Sequence, residues 1–348
     1  MISLQDRITA FSSLGEKIKM MVCAEDASTS DELEEISTRP CNKNPWFTIE
    51  NILKALDSIA SMLEETQLVN WMNSYPWTRE NRAPKTIAVI MAGNIPAVGF
   101  HDALCVLITG NKLLAKPSSK DDVILPFLLR KLCEIEPSFA SKIQIEDGLI
   151  KEFDAIIATG SDNTSRYFEY YFKKYPHVIR KNRCSVAVLT GNETNEEIQG
   201  LNDDIFSYFG LGCRNVSKIF LPDNFDITLL FNVFDKNKET KKHFKYMNNY
   251  EYNKSIYLLN QESHLDNGFL ILKEDSKIFS PIAVVFYEKY TDISTTREYI
   301  NNNLDKLQCV VSNVQRFDKG SVAFGTTQKP GVFDYADDVD TIKFIETI

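Results

Sequence analysis

Between Lys85 and Gly191 the chain alternates short apolar, β-branched runs with amphipathic stretches, and no other feature restricts the architecture as strongly. The apolar runs are "KTIAVIMAG", ending in Gly93, "KLLAK", ending in Lys116, "FDAIIATG", ending in Gly160, and then "HVIRK" and "SVAVLTG". Between them lie three helical patterns: "IPAVGFHDALCVLITGN", with Pro96 near its first turn and Gly110 just past its end; "SSKDDVILPFLLRKLCEI", with Ser and Asp at its start; and "SDNTSRYFEYYFKKY". Strands separated by helices need crossover connections, so the pattern predicts a parallel sheet with helices on both faces. In such sheets ligands collect outside the carboxyl ends of the strands, where Asn94, Lys116, Gly160 and Ser161 fall.

The flanking regions are read from the same signals. Ile2, Leu4, Ile8, Phe11, Leu14 and Ile18 form a helical stripe, with Asp6 and Arg7 where a signal peptide would be apolar, so this is read as an amphipathic helix of the mature protein. The rest of the first 80 residues is expected to be helical, apart from "AEDASTSDELEEISTRPCNKNP", whose Ser, Asp, Glu and Pro content predicts an exposed connection. After Gly191 the alternation resumes less regularly: a helix "NEEIQGLNDDIFSYFGL", a strand "SKIFLP", helices to about residue 262, strands "GFLILK" and "IAVVFYEKY", a helix "TTREYINNNLDKL" and a strand "CVVSNV". This predicts a second α/β domain, and two domains also suit 348 residues.

Composition narrows the function. A net charge of -9 argues against a general nucleic-acid binder, which needs a basic surface to displace counterions. The apolar stretch Thr86 to Leu107 is broken by Asn94, Pro96, His101 and Asp102, which leaves it short of the roughly 20 apolar residues of a membrane span. Seven cysteines, at 23, 41, 105, 133, 184, 213 and 309, include no C-x-x-C pair and no Cys/His cluster, so neither disulfides nor zinc are expected, and a cytoplasmic location is. His101, His177, His243 and His264 are scattered and make no metal or triad motif.

Cys213, in "FGLGCRNVSK", has the setting of a nucleophile. Gly210 and Gly212 let backbone N–H groups approach a ligand closely, and Arg214 and Lys218 are near enough in sequence to favour a thiolate. A buried structural cysteine is the plainer alternative, and Cys105, Cys133 and Cys184 fit it, lying in apolar patterns. Asn94 occupies a strand-to-helix turn from which an amide can donate to an oxyanion, a place that equally suits a helix cap. Lys116 with Ser118 and Ser119 suits ribose hydroxyls or a ribose phosphate, or simply a well-capped loop. Gly160 and Ser161 feed a helix N-terminus, a position suited to phosphate. The basic run "RKNRC" is expected to be a solvated strand end.

Taken in order, the Asn-containing turn, the "KPS" strand end, the "ATGS" turn and the Gly-x-x-Cys with a basic residue five positions on resemble the aldehyde dehydrogenase superfamily. Within it, "MAGNIPAVGFHDALCVLITGNKLLAKPSSKDD" and "DYADDVDTIKF" are similar to the LuxC-type acyl-CoA reductases, over roughly residues 80 to 348. The resemblance implies an aldehyde dehydrogenase-like α/β fold of two domains with mostly parallel sheets and a helical N-terminal segment. A nucleotide-binding domain over residues 1–183, completed by 325–348, would accompany a catalytic cysteine domain over 184–324.

Carried onto this chain, the resemblance makes Cys213 the catalytic cysteine and Asn94 the oxyanion donor. Lys116 and Ser118 would bind the adenosine ribose or its 2′-phosphate, with Ser119 beside them, and Gly160 and Ser161 the pyrophosphate. "KIFSP" resembles "EIFGP", which places Phe279 beside the nicotinamide ribose, with Lys277 in the glutamate's place. Hydrolytic members carry a glutamate in E-x-G-G-K, where this chain has "RKNRC" with Arg180 at the glutamate position. The expected reaction is therefore reduction of an acyl-CoA through an acyl-cysteine, with NADPH preferred and NADH as the other option. An aldehyde dehydrogenase forming free acid and a non-redox acyl-carrying scaffold are the competing readings. A homo-oligomer and an acyl-transfer partner protein are both compatible with the resemblance.

Overall fold

A computed structural model describes residues 2–23, 31–80, 82–314 and 317–348. It divides into two compact units, residues 1–182 with 330–348, and residues 183–329.

Unit 1 opens with helices α1 (Leu4–Val22), α2 (Asp31–Lys43), α3 (Ile49–Met62) and α4 (Glu65–Asn73). The Ser3 and Asp6 side chains cap α1 reciprocally, and the stripe read from the sequence, Ile8, Phe11, Leu14 and Ile18, is its buried face. The segment expected to be an exposed connection is helical from Asp31 onward, while residues 24–30 lie outside the described residues. Leu33, Ile36, Ser37 and Pro40 recur at helical spacing and are buried, and three carboxylates occupy the first turn. Only two of those four positions are strongly apolar, so the stripe was masked by Ser, Glu and Pro.

The alternation then proceeds through β1 (Thr86–Ile90), α5 (Phe100–Ile108), β2 (Lys112–Lys116), α6 (Ile124–Ile135), β3 (Ile143–Ile145), β4 (Ala155–Thr159), α7 (Asp162–Phe172) and β5 (His177–Arg180). The strands form one parallel sheet in the order β3-β2-β1-β4-β5. Alternate residues serve opposite faces: Ile87, Val89, Leu113 and Ala115 join the larger core cluster with the N-terminal helices, while Ala88, Leu114, Ile156 and Ala158 pack with Phe168 and Phe172 of α7. The edge strand β3 was not foreseen, since three residues with two of them exposed carry no periodic signal. Helix α5 starts later than Pro96 suggested, because the chain first makes a turn with Ala97 in the left-handed region (φ 54°).

Unit 2 runs through β6 (Cys184–Val188), α8 (Asn195–Phe206), β7 (Val216–Pro222), α9 (Leu229–Phe234), α10 (Phe244–Leu259), β8 (Leu265–Asp266), β9 (Ile271–Glu274), β10 (Val284–Tyr290), α11 (Ile293–Asn301) and β11 (Leu307–Val311). Its sheet has the order β11-β6-β7-β10-β9-β8, parallel except for the two-residue β8. The carboxylate of Asp204, 0% exposed, accepts from the N–H groups of Gly325 and Thr327 and from the Thr327 hydroxyl, which fastens the last part of this unit to α8.

The chain then returns to unit 1. The Trp71 indole donates to the Tyr335 hydroxyl at 2.8 Å, Tyr75 meets the same hydroxyl, and His101 Nε2 lies 3.0 Å from the Val332 carbonyl, after which α12 (Thr341–Glu346) packs with α5. Among the described residues no helix is long and apolar enough to cross a membrane.

Candidate active site

In unit 1 the candidate binding residues collect at the carboxyl edge of the sheet, because β1, β2 and β4 are parallel and in register, with Ile90 opposite both Lys116 and Ala158. The strand order reverses between β1 and β4, the switch point where open α/β sheets hold ligands. Asn94 is exposed in the turn after β1. Lys116 ends β2, and its ammonium donates to the carbonyls of Asp147, at 3.2 Å, and Gly148, which takes two of its three donors. Ser118 is half-buried and Ser119 exposed. A Cβ at Gly93 would sit 2.6 Å from Ser118 Oγ, so only glycine lets the turns after β1 and β2 approach this closely. Gly160 is likewise crowded by Thr164 and Phe168, and Ser161 caps α7 through Thr164 N at 3.4 Å.

One carboxylate that sequence reading passed over organises this edge. Asp121 is buried, accepts from Ala97 N at 2.7 Å and Ile124 N at 3.4 Å, and so holds the turn that carries Asn94 against the start of α6. Burial pushes its carboxyl up to about 6. The only available signal was its place in "SSKDD", which suggested a helix start and nothing more.

In unit 2, Cys213 is half-buried on the turn that enters β7. Its carbonyl accepts from the Ser185 hydroxyl at 3.1 Å, and the same hydroxyl oxygen accepts from Cys309 N. Phe279, 38% exposed, belongs to the same end of this sheet, since the carbonyl of its neighbour Ile278 accepts from Ser217 Oγ at 2.9 Å. The chain before the cysteine is strained: Tyr208, Phe209 and Gly210 are consecutive left-handed residues with φ of 52°, 58° and 78°. The left-handed conformation costs roughly 1–2 kcal/mol for each residue with a Cβ.

The Lys218 ammonium is directed to Glu288. Lys218, 0% exposed, forms an ion pair with Glu288 at 2.6 Å and donates to the Asp275 and Ser276 carbonyls, while burial pulls its ammonium below the ordinary lysine range. Arg214 Nη1 donates toward Cys309 Sγ at 3.4 Å. Alternation along β7 decides where Lys218 points, and counting positions from the cysteine cannot register that. Burial also pushes up the thiols of Cys41, Cys105 and Cys133, and that of Cys184 to about 11.

Arg180 is not the solvated strand end that was expected. It is 3% exposed, pairs with Asp102 at 2.6 Å and donates to Thr341 Oγ1 at 3.0 Å, because β5 delivers it against α5 and α12 inside unit 1. Among the described residues no group of three or more His, Cys, Asp or Glu side chains could hold a metal ion.

These sheets and their order define an aldehyde dehydrogenase-like fold. Solved structures bear this out. An aldehyde dehydrogenase from Physcomitrella patens in complex with succinate aligns over 89% of this chain and 73% of its own, with TM-score 0.64 and 14% identity. An indole-3-acetaldehyde dehydrogenase complexed with NAD+ aligns over 92% and 74%, with TM-score 0.66 and 10% identity. The NADP-dependent glyceraldehyde-3-phosphate dehydrogenase of Bacillus halodurans C-125, complexed with NADP, aligns over 92% and 75%, with TM-score 0.61 and 12% identity. No curated protein matches significantly by sequence. The sequence model of the acyl-CoA reductase (LuxC) family matches residues 15–232, and the chain belongs to that family. It is an oxidoreductase of the acyl-CoA reductase type.

Proposed function

We propose that this protein reduces an acyl-CoA thioester to an aldehyde through an acyl group carried on Cys213. The observation that carries the reading is the family match, whose span includes both Cys213 and Asn94. The Cys213 thiolate attacks the thioester carbon, the carbon–sulfur bond to CoA breaks, and CoA leaves as a thiolate that needs little protonation. The Asn94 amide and the Cys213 N–H hold the oxyanion in this step and again when the aldehyde forms and the cysteine sulfur departs. A nicotinamide, when bound, would supply the hydride, and NADPH is the proposed donor.

The residues present fit a dinucleotide: a sheet with a switch point, a helix N-terminus at Ser161, and a glycine there whose Cβ would be 3.0 Å from Thr164 Cβ. Lys116, Ser118 and Ser119 would take the ribose or its 2′-phosphate, Gly160 and Ser161 the pyrophosphate, and Phe279 would lie by the nicotinamide ribose. Release of free acid is disfavoured because the position at which hydrolytic relatives carry a glutamate is Arg180, already paired with Asp102.

The test is oxidation of NADPH, and separately of NADH, with short and long acyl-CoAs. Wild-type protein is expected to turn over with NADPH and Cys213→Ala to be inactive. Near-normal turnover by Cys213→Ala rejects the mechanism, and a clear preference for NADH rejects the choice of donor. Stable acylation of Cys213 without nucleotide binding would instead support the acyl-carrying scaffold.

A further inference from the structure

We infer that Asn215, assisted by Ser185, is a positioning residue that sets Cys213 for attack on the thioester. The inference rests on the reading of Cys213 as the nucleophile and concerns residues to which that reading gives no role. Asn215 is buried and tied at four atoms. Its Oδ1 accepts from Gly212 N at 2.8 Å, immediately before the cysteine. Its Nδ2 donates to the carbonyls of Asp204 at 3.0 Å and Ile205 at 3.3 Å, in the last turn of α8, and of Ser207 at 2.9 Å, just past it. Its N–H donates to the Gly212 carbonyl at 3.0 Å, and its carbonyl accepts from Ser185 N at 3.1 Å. One amide side chain therefore closes the loop 207–212 from both ends.

That loop contains the three consecutive left-handed residues, Tyr208, Phe209 and Gly210. Such backbone persists only where the surroundings over-determine it: Asn215 ties the loop at Ser207 and Gly212, and the Phe209 ring stacks on His243 at 4.1 Å. The second restraint comes from the other side of the cysteine, where Ser185, fully buried in β6, donates to the Cys213 carbonyl at 3.1 Å. The peptide group linking 212 and 213 is held through the Gly212 carbonyl, which accepts from Asn215 N–H, and the peptide groups on either side of it are held by Asn215 Oδ1 at the Gly212 N–H and by Ser185 at the Cys213 carbonyl. The Cys213 N–H, the proposed oxyanion donor, belongs to the linking peptide group, so Asn215 and Ser185 determine whether sulfur and donor face one carbon. Neither side chain needs to touch the substrate.

The test compares two reactions of the same sulfur in the full chain. S-acylation by octanoyl-CoA and by tetradecanoyl-CoA, followed by mass spectrometry without cofactor, requires both sulfur and oxyanion donor in place. Alkylation by iodoacetamide requires only an accessible thiolate, and its pH profile reports the thiol's acidity. A misplacement of about 1 Å can cost on the order of 100-fold in a positioned reaction, so Asn215→Ala is expected to slow acylation about 10- to 100-fold. Ser185→Ala removes the hydrogen bond to the Cys213 carbonyl, together with the one accepted from Cys309 N, and is expected to slow it about 5-fold. Both variants should alkylate within about twofold of wild type with an unshifted pH profile, since positioning, not acidity, is changed.

Equal loss in both reactions, or acylation at the wild-type rate in a folded variant, overturns the inference. If Asn215→Ala does not fold, Ser185→Ala decides alone. Cys213→Ala separates the two failures. If it still takes up the acyl group, the nucleophile assignment is wrong. If it does not, while the positioning variants acylate normally, only the present inference fails.

Discussion

Two loops of this molecule solve one backbone problem with different chemistry. The turn after β1 carries Asn94 and places Ala97 at φ 54°, and it is held by the buried carboxylate of Asp121. The loop before β7 carries Cys213 and places Tyr208, Phe209 and Gly210 in the same region, and it is held by the buried amide of Asn215. A carboxylate accepts strongly but titrates, whereas an amide donates and accepts together and does not. The loop with the proposed nucleophile is thus fastened independently of pH, while the loop with the proposed oxyanion donor is fastened by a group whose charge changes near pH 6.

The comparison can be broken or sharpened by substitution. The largest effect is expected from Asn94→Ala, which should lower turnover with acyl-CoA about 10²- to 10³-fold. A normal rate would remove this turn from the chemistry. Next, Asn215→Ala should destabilise the protein by about 2–3 kcal/mol in urea unfolding, because it takes the acceptor from the Gly212 N–H and removes the amide donor that three carbonyls share. Asp121→Ala should cost less, about 1 kcal/mol, because it takes the acceptor from the Ala97 and Ile124 N–H groups but also relieves a buried charge. The reverse order would show that charge, not amide geometry, is the stronger fastener.

A third measurement addresses pH. Asp121 has its folded pKa raised to about 6 from 3.8, so between these values the folded chain keeps a proton that the unfolded chain has released. Its contribution to stability is therefore fully present below about pH 3.8 and declines as pH rises through about 6. The melting temperature of wild type relative to Asp121→Asn should fall between about pH 4 and about pH 7, whereas relative to Asn215→Ala it should stay level. A flat difference for both variants would abolish the distinction. The smallest effect is expected from Gly210→Ala, about 1 kcal/mol in the same unfolding assay, because a Cβ there meets only ordinary contact, at 3.6 Å, and the cost is the left-handed backbone alone.

What was legible in the sequence follows from how local each signal is. The strands β1, β2 and β4 are buried on both faces, so their apolar runs are continuous and visible, and the turns that follow them were located correctly. Helix α2 was missed because most of its residues face away from the core, and the stripe that packs includes Ser37 and Pro40. Lys218 is near enough to Cys213 in sequence to favour a thiolate, yet its ammonium reaches Glu288, seventy positions further on, a relation set by the pairing of β7 with β10. Asn215 and Asp121 resemble any polar residue near a turn, and their importance arises from carbonyls and N–H groups that the fold brings to them.

Unit 1 is discontinuous, and the residues that complete it, including Tyr335 against Trp71 and Thr341 beside Arg180, belong to 330–348. On the ribosome, the half of the protein that is translated first must therefore wait with those sites open, while unit 2, made from one uninterrupted segment, can reach its final form earlier. The order of birth and the order of completion are inverted. A chain truncated after Lys329 and released would be expected to resist protease across 183–329 and to be cut readily within 1–182.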